Sequence, residues 1–444
     1  MVIKLENLCR DIEKKENEKP TVTINDINVE LESGSINGLI GPTFSGKSSL
    51  LFLIAGLLES TSGSIYFGDK DVTKLPAEKR EVGFVFQNYQ LYPHLTVLQN
   101  IMFPLLVKKV PKKLAKEKAL NIAEIMGLTD ILDKKPKSLL AHKRVQVAIA
   151  RAYVKSPNIV LLDEPLSHLD IRYKNETRDL IKKIQRETKI TTIFVSQNQE
   201  DAIYISDYLM LMNDGALKAY GTPEELYGNP ENQFVAEFLG NPAINIIKCQ
   251  YNDDEESVKK AEELNKKEEK VESKVEESVS EMKTALLDED IDLAELGLGY
   301  GKASNEVKKE EETKEELPED KLEEESEEEN KIEAEVPKGI LSFGDQIFLD
   351  DKTPTFGERM ILTKDTRLAV RPEAFEFSPN GKYVMHVESF EFTGRENLVR
   401  FTLPGIDYVF NCLAPIELKL EPGMDIKFDF KRYFIFDIIG RRIR

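Results

Sequence analysis

Short runs of apolar and β-branched residues alternate with longer helical patterns as far as about residue 240. Four runs stand out between polar or glycine-rich segments: INGLI, VGFVF, NIVLLD and TTIFVS, which begin at Ile36, Val82, Asn158 and Thr191. Such alternation of strands and helices is typical of βαβ units. We therefore predict an α/β domain with a largely parallel sheet over residues 1–240.

Two further patterns complete the predicted domain organisation. From about residue 88 to residue 152 the pattern is mainly helical, which predicts a helical subdomain inserted into the α/β core. Near the end of the chain, YVMHVESFEF, NLVRFTL and DIKFDFKRYFIFDI alternate apolar and polar positions, and a Pro422-Gly423 turn separates two of them. This alternation indicates a small all-β barrel or sandwich. We assign residues 241–251 and 338–444 to it.

The intervening residues, 252–337, are dominated by Glu and Lys and hold almost no aromatic residues. They cannot bury enough apolar area to offset the conformational entropy lost on ordering, so we predict a disordered, acidic, low-complexity insert. The sequence does not indicate the function of this insert. Residues 251–337 contain 33 acidic and 13 basic residues, which accounts for the net charge of −19. Within the insert, ALLDEDIDLAEL (residues 285–296) has near-helical apolar spacing, which indicates a transient helix or a helix that forms on a partner.

Composition limits the cellular setting. The chain opens without a charged leader and apolar core, and no apolar run approaches the roughly 20 residues of a membrane span, so we expect a soluble cytoplasmic protein. Cys9, Cys249 and Cys412 lack the neighbouring His or Cys of a zinc site. We interpret them as reduced thiols in apolar surroundings.

GPTFSGKS, residues 41–48, fits the pattern of a phosphate-binding loop. In that pattern backbone N–H groups surround phosphates, Lys47 neutralises the outer two phosphates, and the Ser48 hydroxyl binds magnesium. A chance glycine turn is the alternative, but an apolar run precedes the segment and a helical pattern follows it. The predicted nucleotide-binding residues are Gly41, Pro42, Thr43, Phe44, Ser45, Gly46, Lys47, Ser48 and Ser49.

Two carboxylates end the apolar run IVLLDEP, residues 159–165. Asp163 can bind magnesium, and Glu164 can polarise an attacking water. Either acid alone could cap a helix, but their pairing behind a phosphate loop favours catalysis. The motifs thus predict a phosphate-bearing ligand with Mg²⁺, and the family resemblance given next implies that this ligand is ATP.

With these residues the chain resembles the ATP-binding subunit of an ABC transporter, of the carbohydrate and glycerol-phosphate importer type. The resemblance rests on GPTFSGKSS, DVTKLPAEKREVGFVFQNYQLYPHLTVLQNI and ARAYVKSPNIVLLDEPLSHLD. The tail segments LAVRPEAFEF, FEFTGRENLV and PGMDIKFDF are similar to the regulatory TOBE or OB-like domain of those importers. The resemblance covers essentially the whole chain outside the acidic insert.

The resemblance implies a dimer that sandwiches two ATP molecules, each between one chain's phosphate loop and the other chain's signature motif. Closing the dimer would move two membrane permease subunits, so the chain would act at the cytoplasmic face of the membrane. An extracytoplasmic solute-binding protein would be an indirect partner, and no nucleic-acid partner is expected. Gln87 would sense the metal and the γ-phosphate. NYQLYPHL, residues 88–95, would line the permease cleft or only pack the helical subdomain. Sugars, glycerol-phosphate and polyamines all remain open as solutes.

Three positions depart from the family's pattern. The family's signature LSGGQ is here LLAHK, residues 139–143, whose side chains should obstruct the phosphate, although His142 or Lys143 could supply a compensating charge. The switch histidine aligns with Gln197, which can donate a hydrogen bond but carries no charge. Ile12 lies nearest the position of the aromatic residue that stacks on adenine.

These departures shape the functional expectation. A homodimer would carry both defects at both sites and be a poor motor, so we expect a heterodimer with a more standard ATPase, in which hydrolysis at this chain's loop is slowed. The catalytic residues would be Glu164, Gln197 and Gln87, and the metal ligands Ser48, Gln87 and Asp163. A non-hydrolytic, ATP-dependent scaffold or regulator is the alternative. A soluble ABC ATPase of translation or repair is a weaker one.

Overall fold

The computed structural model describes residues 1–12, 21–252, 340–349 and 366–443. The chain divides into two units, the first of residues 1–248 and 365–444 and the second of residues 249–364. Most of the predicted acidic insert, including its segment at 285–296, lies outside the described residues, as does the side chain of Ile12.

The elements of the first unit up to residue 240 form the α/β region. Its strands are β1 (Ile3–Ile12), β2 (Thr21–Leu31), β3 (Ile36–Ile40), β4 (Ser62–Phe67), β5 (Lys70–Asp71), β6 (Val82–Val85), β7 (Ile159–Asp163), β8 (Thr191–Val195), β9 (Tyr208–Asn213) and β10 (Ala216–Gly221). Its helices are α1 (Lys47–Ala55), α2 (Val97–Val107), α3 (Lys112–Ile125), α4 (Ala141–Tyr153), α5 (Ile171–Thr188), α6 (Gln199–Ile205), α7 (Pro223–Gly228) and α8 (Gln233–Phe238).

A six-stranded sheet with the order β10-β9-β3-β8-β7-β6 forms the centre of this region. Strands β9, β3, β8, β7 and β6 run parallel, and β10 pairs antiparallel with β9. All five residues of β3, β7 and β8 are buried, which explains why their sequences are continuous apolar runs rather than alternating ones. The four strands that the sequence marked are therefore present.

A second sheet, antiparallel and of order β2-β1-β4-β5, was missed by the sequence analysis. The pairing of β1 with β2 contains register shifts between Leu5 and Leu8, between Leu8 and Arg10, and between Arg10 and Asp11. Each shift breaks the period-two alternation from which such a strand is recognised. Helix α1 joins the two sheets, because one buried cluster contains residues of β1, of α1 and of β7.

Helices α2, α3 and α4 lie between β6 and β7 in the chain, and no strand interrupts them. They share a core cluster with buried residues of β7 and α5, including Val160, Leu162 and Ile181. The inserted helical subdomain of the predicted fold class is thus confirmed.

The remaining elements are almost all β. Those of the first unit are β11 (Asn245–Lys248), β15 (Arg367–Val370), β16 (Phe375–Phe377), β17 (Tyr383–Phe392), β18 (Asn397–Leu403), β19 (Ile406–Ala414), β20 (Asp425–Phe430) and β21 (Phe434–Phe436). They form a three-stranded sheet, β11-β15-β21, and a five-stranded antiparallel sheet, β16-β20-β17-β18-β19. The second unit contains a sheet of β12 (Gln250–Asn252), β13 (Ile340–Phe343) and β14 (Gln346–Leu349).

The C-terminal all-β region has its own aromatic core. The ring of Phe375 lies 5.3 Å from that of Phe401 and 5.4 Å from that of Phe428. The predicted fold class, an α/β core followed by an all-β region, is therefore confirmed, while the exact domain boundaries stay a prediction. No helix in the described residues is long and apolar enough to cross a membrane.

Candidate nucleotide-binding site

The phosphate loop connects β3 to α1, and glycine is required at both of its ends. Gly41 has φ 157° and Gly46 has φ 97°, values at which an L side chain is strained. A Cβ at Gly41 would lie 2.1 Å from the carbonyl oxygen of Met212, and one at Gly46 would lie 2.7 Å from that of Thr23. The loop can therefore approach β9 and β2 only with bare backbone.

Lys47 is the first residue of α1, and its side chain folds back over the loop. Its ammonium group donates to the carbonyl oxygens of Gly41 at 3.0 Å and Pro42 at 2.7 Å, and to Ser45 Oγ at 3.3 Å. Burial lowers the pKa of Lys47, and the nearby carboxylates of Glu164 and Asp163 oppose this shift. The ammonium is thus a positive charge fixed at the floor of the loop.

Ser48 and Asp163 meet beneath the loop. The Ser48 hydroxyl donates to Asp163 Oδ1 at 3.3 Å. Burial and the charge of Glu164 raise the pKa of Asp163, whereas the Ser48 hydrogen bond and Lys47 oppose the rise. A hydroxyl and a buried carboxylate side by side are oxygen ligands of the kind that Mg²⁺ prefers.

Glu164 holds the centre of a three-residue hydrogen-bond network. Gln87 Nε2 donates to Glu164 Oε2 at 3.0 Å, and Gln197 Nε2 donates to Glu164 Oε1 at 2.7 Å. Glu164 itself has φ 45°, an uncommon value for a non-glycine residue. Each carboxylate oxygen therefore accepts a hydrogen bond from a neutral amide. Gln87 follows the end of β6, and Gln197 follows the end of β8.

One cavity of about 620 Å³ brings most of the predicted site residues together. The predicted residues that line it are Thr43, Phe44, Ser45, Gly46, Lys47, Ser48, Ser49, Gln87, Glu164 and Gln197. Gly41 and Pro42 are not among the lining residues and contribute carbonyl oxygens to Lys47 instead. Asp163 reaches the site through its contact with Ser48.

Three lining residues were missed by the sequence analysis: Thr23, Asp214 and Gly215. The pair Asp214-Gly215 forms the turn between β9 and β10, and the sequence marks it only as a turn. Its position at the loop depends on long-range contacts, since the Gly215 N–H donates to the Ser45 carbonyl at 3.1 Å and the Asn25 N–H donates to the Gly215 carbonyl at 2.9 Å.

The residues present fit a nucleoside triphosphate with magnesium. Neighbouring carbonyl oxygens leave no room for a Cβ at Gly41 or Gly46. The buried Lys47 ammonium faces the loop, and the Ser48 hydroxyl and Asp163 carboxylate lie beside it. Backbone N–H groups and a cation at a helix N-terminus attract phosphate, and the oxygen pair suits a hard divalent cation. The donor set thus matches the predicted cofactors.

The altered signature segment lies at the start of α4. Leu140 is the N-cap residue and its side chain makes no capping hydrogen bond. His142 is buried and stacks on Tyr173 of α5, with ring centroids 3.9 Å apart. Lys143 forms an ion pair of 3.2 Å with Glu176. Both side chains that were candidates to compensate for the lost signature are thus in contact with other residues of this chain.

The segment NYQLYPHL combines packing with exposure. Tyr89 and Leu91 pack against the helical core, which agrees with the interpretation that these two residues pack the helical subdomain. Tyr92 is partly exposed, lies 4.5 Å from the ring of Phe103, and has the Arg151 guanidinium 5.3 Å from its centroid. Tyr92 is therefore an accessible aromatic residue of this segment.

Comparison with known proteins gives consistent results. The family model "ABC transporter" matches residues 24–167. The trehalose/maltose import ATP-binding protein MalK of Thermococcus litoralis is 40% identical over 230 residues, 50% of this chain and 62% of MalK. The spermidine/putrescine import ATP-binding protein PotA of Borreliella afzelii is 38% identical over 243 residues, 55% of this chain and 69% of PotA.

The match spans less than two thirds of the length of MalK. Among solved structures, the post-hydrolysis dimer of the ATP-binding cassette MJ0796 bound to ADP and Pi is 26% identical. The match covers 50% of this chain and 98% of that chain, with a TM-score of 0.45.

Proposed function

Since this chain belongs to the ABC transporter ATP-binding proteins of the importer type, we propose that it binds Mg-ATP and powers solute import by hydrolysing it. The observation that carries the proposal is the convergence of Lys47, Ser48 and Glu164 on one cavity of about 620 Å³. A charge for the phosphates, an oxygen ligand for the metal and a carboxylate for water activation are all needed for phosphoryl transfer to water.

The chain's own residues have distinct tasks in this proposal. The Lys47 ammonium, which donates here to the Gly41 and Pro42 carbonyls, would bind phosphate oxygens, and the loop amides would help to hold the phosphates. Ser48 and Asp163, which are in contact with each other, and Gln87 would hold Mg²⁺, and the bound metal would neutralise phosphate charge. Glu164 orients and polarises the attacking water, while Gln197 and Gln87 fix its carboxylate.

The proposed partners are two permease subunits and a second ABC ATPase. The chain would act at the cytoplasmic face of the membrane, and the partly exposed Tyr92 supports a permease contact through residues 88–95. Its relatives are named for trehalose and maltose and for spermidine and putrescine, so we propose sugar or glycerol-phosphate import and retain polyamines as the second solute class.

We propose that the second ATPase is a different polypeptide. Two copies of this chain would place the segment Leu139–Lys143 at both composite sites, and neither would hold a switch histidine. In a heterodimer this chain's phosphate loop meets an intact signature, and the partner's loop meets the altered one. One site would then retain ATP for long periods while turnover occurs mainly at the other.

The test measures Mg-ATP binding and turnover by the purified full-length chain. Replacing Lys47 with alanine should weaken ATP binding by roughly ten- to a hundredfold, because hydrogen bonds to a charged group contribute about 1.5–3 kcal/mol. Replacing Lys118, an exposed lysine of α3, with alanine is the matched control and should leave binding unchanged.

Three results would contradict parts of the proposal. Equal ATP binding by the Lys47→Ala and native chains would refute the nucleotide site. Fast turnover by the isolated chain would refute the asymmetric dimer. Purification of the native complex without membrane subunits would refute the transport role.

A second candidate function is a non-hydrolytic, ATP-dependent scaffold or regulatory subunit of a transporter. It is favoured by the neutral amides on both Glu164 oxygens and by the bulky residues at the start of α4. Single-turnover ATPase measurements on the assembled complex separate the two functions, because a scaffold would bind ATP without releasing phosphate from this chain's site.

A further inference from the structure

We infer that Arg80 is a positioning residue for the metal-binding part of the nucleotide site, because it joins the C-terminal end of α1 to the start of β6. The inference rests on the proposed function, since it concerns how Ser48 and Gln87 are held for Mg²⁺. Arg80 is not among the residues that line the nucleotide cavity, so it acts on the site through the two elements that it joins.

The guanidinium of Arg80 is buried among main-chain carbonyl groups. The side chain is only 3% exposed. Its Nη1 donates to the carbonyl oxygens of Leu53 at 2.7 Å and Ile54 at 3.0 Å. Its Nε donates to the carbonyl of Leu75 at 2.8 Å, and its Nη2 donates to that of Thr73 at 2.8 Å. One side chain therefore ties the end of a helix to the segment that follows β5.

The C-terminal end of α1 is suited to receive this cation. The last carbonyl groups of a helix have no partner within it, and the helix dipole favours a positive charge there. The last turn of α1 contains no basic residue of its own. Its C-cap is Gly56, with φ 75°, and a Cβ at that position would lie 2.6 Å from Arg80 Nε. Arg80 thus supplies the cation from outside the helix, in space that glycine leaves open.

The two ends of α1 are anchored by different parts of the chain. At the N-terminal end, Lys47 binds carbonyl groups of the phosphate loop, and the loop itself approaches β9 and β2. At the C-terminal end, the anchor is Arg80, which lies two residues before β6. Strand β6 ends at Val85, and Gln87 follows two residues later. Arg80 therefore connects the helix that carries Ser48 with the strand that leads to Gln87.

This connection matters for the metal more than for the phosphates. Ser48 and Gln87 would hold the same ion although they belong to different elements, so their relative position must be fixed. Groups that support metal ligands typically contribute about 10–100-fold to metal affinity. Without Arg80, α1 and β6 lose this link, whereas Lys47 keeps its own anchor at the other end of the helix.

The experiment measures equilibrium binding of ATP to the full-length chain over a range of Mg²⁺ concentrations, and with a chelator in place of Mg²⁺. Arg80→Lys keeps the positive charge, but a single ammonium cannot reach four carbonyls in two segments. We expect the Mg²⁺ concentration for half-maximal binding enhancement to rise about tenfold, while metal-free ATP binding changes little. An unchanged Mg²⁺ dependence, or an equal loss of metal-free binding, would overturn the inference.

Arg371→Lys is the matched control for the loss of a buried guanidinium. Arg371 also donates to main-chain carbonyl groups, but it is not among the residues that line the nucleotide cavity, and it contacts neither α1 nor β6 through the hydrogen bonds of its guanidinium. This variant should leave the Mg²⁺ dependence unchanged. A shift as large as that of Arg80→Lys would mean that any loss of stability alters metal binding, and the positioning role would be refuted.

Gly56→Ala perturbs the same contact without removing Arg80, and it serves if the lysine variant does not fold. Its Cβ would press on Arg80 Nε, so the Mg²⁺ requirement should again rise. Gly127→Ala is its control, because Gly127 has a similar φ of 61° but a Cβ there would meet no group within 4 Å. Equal Mg²⁺ dependence of the two alanine variants would contradict the inference. Failure of the native chain to bind ATP at any Mg²⁺ concentration would instead overturn the proposed function, and the positioning role with it.

Discussion

The imidazole ring of His142 lies flat against the phenol ring of Tyr173, with centroids 3.9 Å apart and planes 5° apart. His142 sits in the first turn of α4, and Tyr173 sits in the first turn of α5. Burial and the charge of Lys143 lower the pKa of His142, while Glu176 opposes the shift. An inward-facing, neutral imidazole joins two helices and is poorly placed to attract a partner's phosphate.

Replacing His142 with alanine should therefore reduce stability and leave ATP binding to this chain unchanged. We expect the free energy of unfolding to fall by about 2 kcal/mol, since a stacked aromatic pair contributes about 0.5–1.5 kcal/mol beyond the burial of the ring. Urea unfolding and equilibrium ATP binding provide the two measurements. A loss of ATP binding without a loss of stability would contradict this structural role.

The depressed pKa of His142 also predicts the direction of a pH effect. Because the folded chain binds this proton less readily than the unfolded chain, His142 contributes stability above its ordinary pKa of about 6.5, and that contribution is lost as pH falls towards its folded pKa. His142→Phe keeps a ring against Tyr173 but cannot titrate. Between about pH 7.5 and 5.5, the range in which histidine titrates, the free energy of unfolding of this variant should therefore fall less than that of the native chain. Identical pH profiles for the two proteins would contradict the assignment.

Contiguous motifs explain which parts of the site could be predicted from sequence. The phosphate loop lies between a buried strand and a helix that are adjacent in the chain, and Asp163 and Glu164 follow a strand directly. The local sequence around these residues was therefore enough to predict their chemical roles. Gln87 lies 77 positions before Glu164, and Gln197 lies 33 positions after it. Such distances along the chain do not indicate a shared hydrogen-bond network, so both residues were assigned from the family resemblance.

The features that sequence could not predict depend on contacts between distant segments. Local sequence does not predict the orientation of His142, because this ring stacks on Tyr173, which belongs to another helix. Gly215 is held at the cavity by backbone hydrogen bonds with Ser45 and Asn25, and Asp214 precedes it in the same turn. The antiparallel sheet was missed because bulges interrupt the alternation of β1. In each case tertiary packing, rather than local propensity, places the residue.

Gln197 provides a test of the catalytic network. Replacing it with alanine removes the 2.7 Å hydrogen bond to Glu164 and should lower kcat about tenfold or more, because a hydrogen bond to a charged group contributes about 1.5–3 kcal/mol. The KM for ATP should change little, since the bond orients a group that acts in the transition state. Steady-state ATPase measurements on the chain assembled with its partner ATPase give both constants.

Gln197→His serves as the matched variant. An imidazole can still donate to Glu164 but titrates near neutrality, so this variant should retain turnover and acquire a pH dependence between about pH 5 and 8 that the native chain lacks at this position. Unchanged kcat in Gln197→Ala would show that the amide is not part of the catalytic arrangement.

Arg371 connects the C-terminal β region to α7 and α8. Its guanidinium is buried, donates to the carbonyl oxygens of Ala236, Leu239 and Tyr227, and lies 3.7 Å from the centroid of the Tyr227 ring. The Tyr227 hydroxyl in turn donates to Glu373. One planar cation thus satisfies carbonyls at the ends of two short helices, which have too few residues to be stable without tertiary contacts.

Replacing Arg371 with lysine should lower the free energy of unfolding by about 2–4 kcal/mol. Lysine keeps the charge, but its single ammonium cannot reach three carbonyls in a fixed plane, and a buried carbonyl left without a donor costs about 1–3 kcal/mol. Urea unfolding followed by circular dichroism measures the change. Arg395→Lys, at an exposed turn of the same region, is the control and should lie within about 0.5 kcal/mol of the native chain. Equal stability of the Arg371 and Arg395 variants would mean that α7 and α8 are held to the β region by their apolar contacts, with the guanidinium contributing nothing beyond its charge.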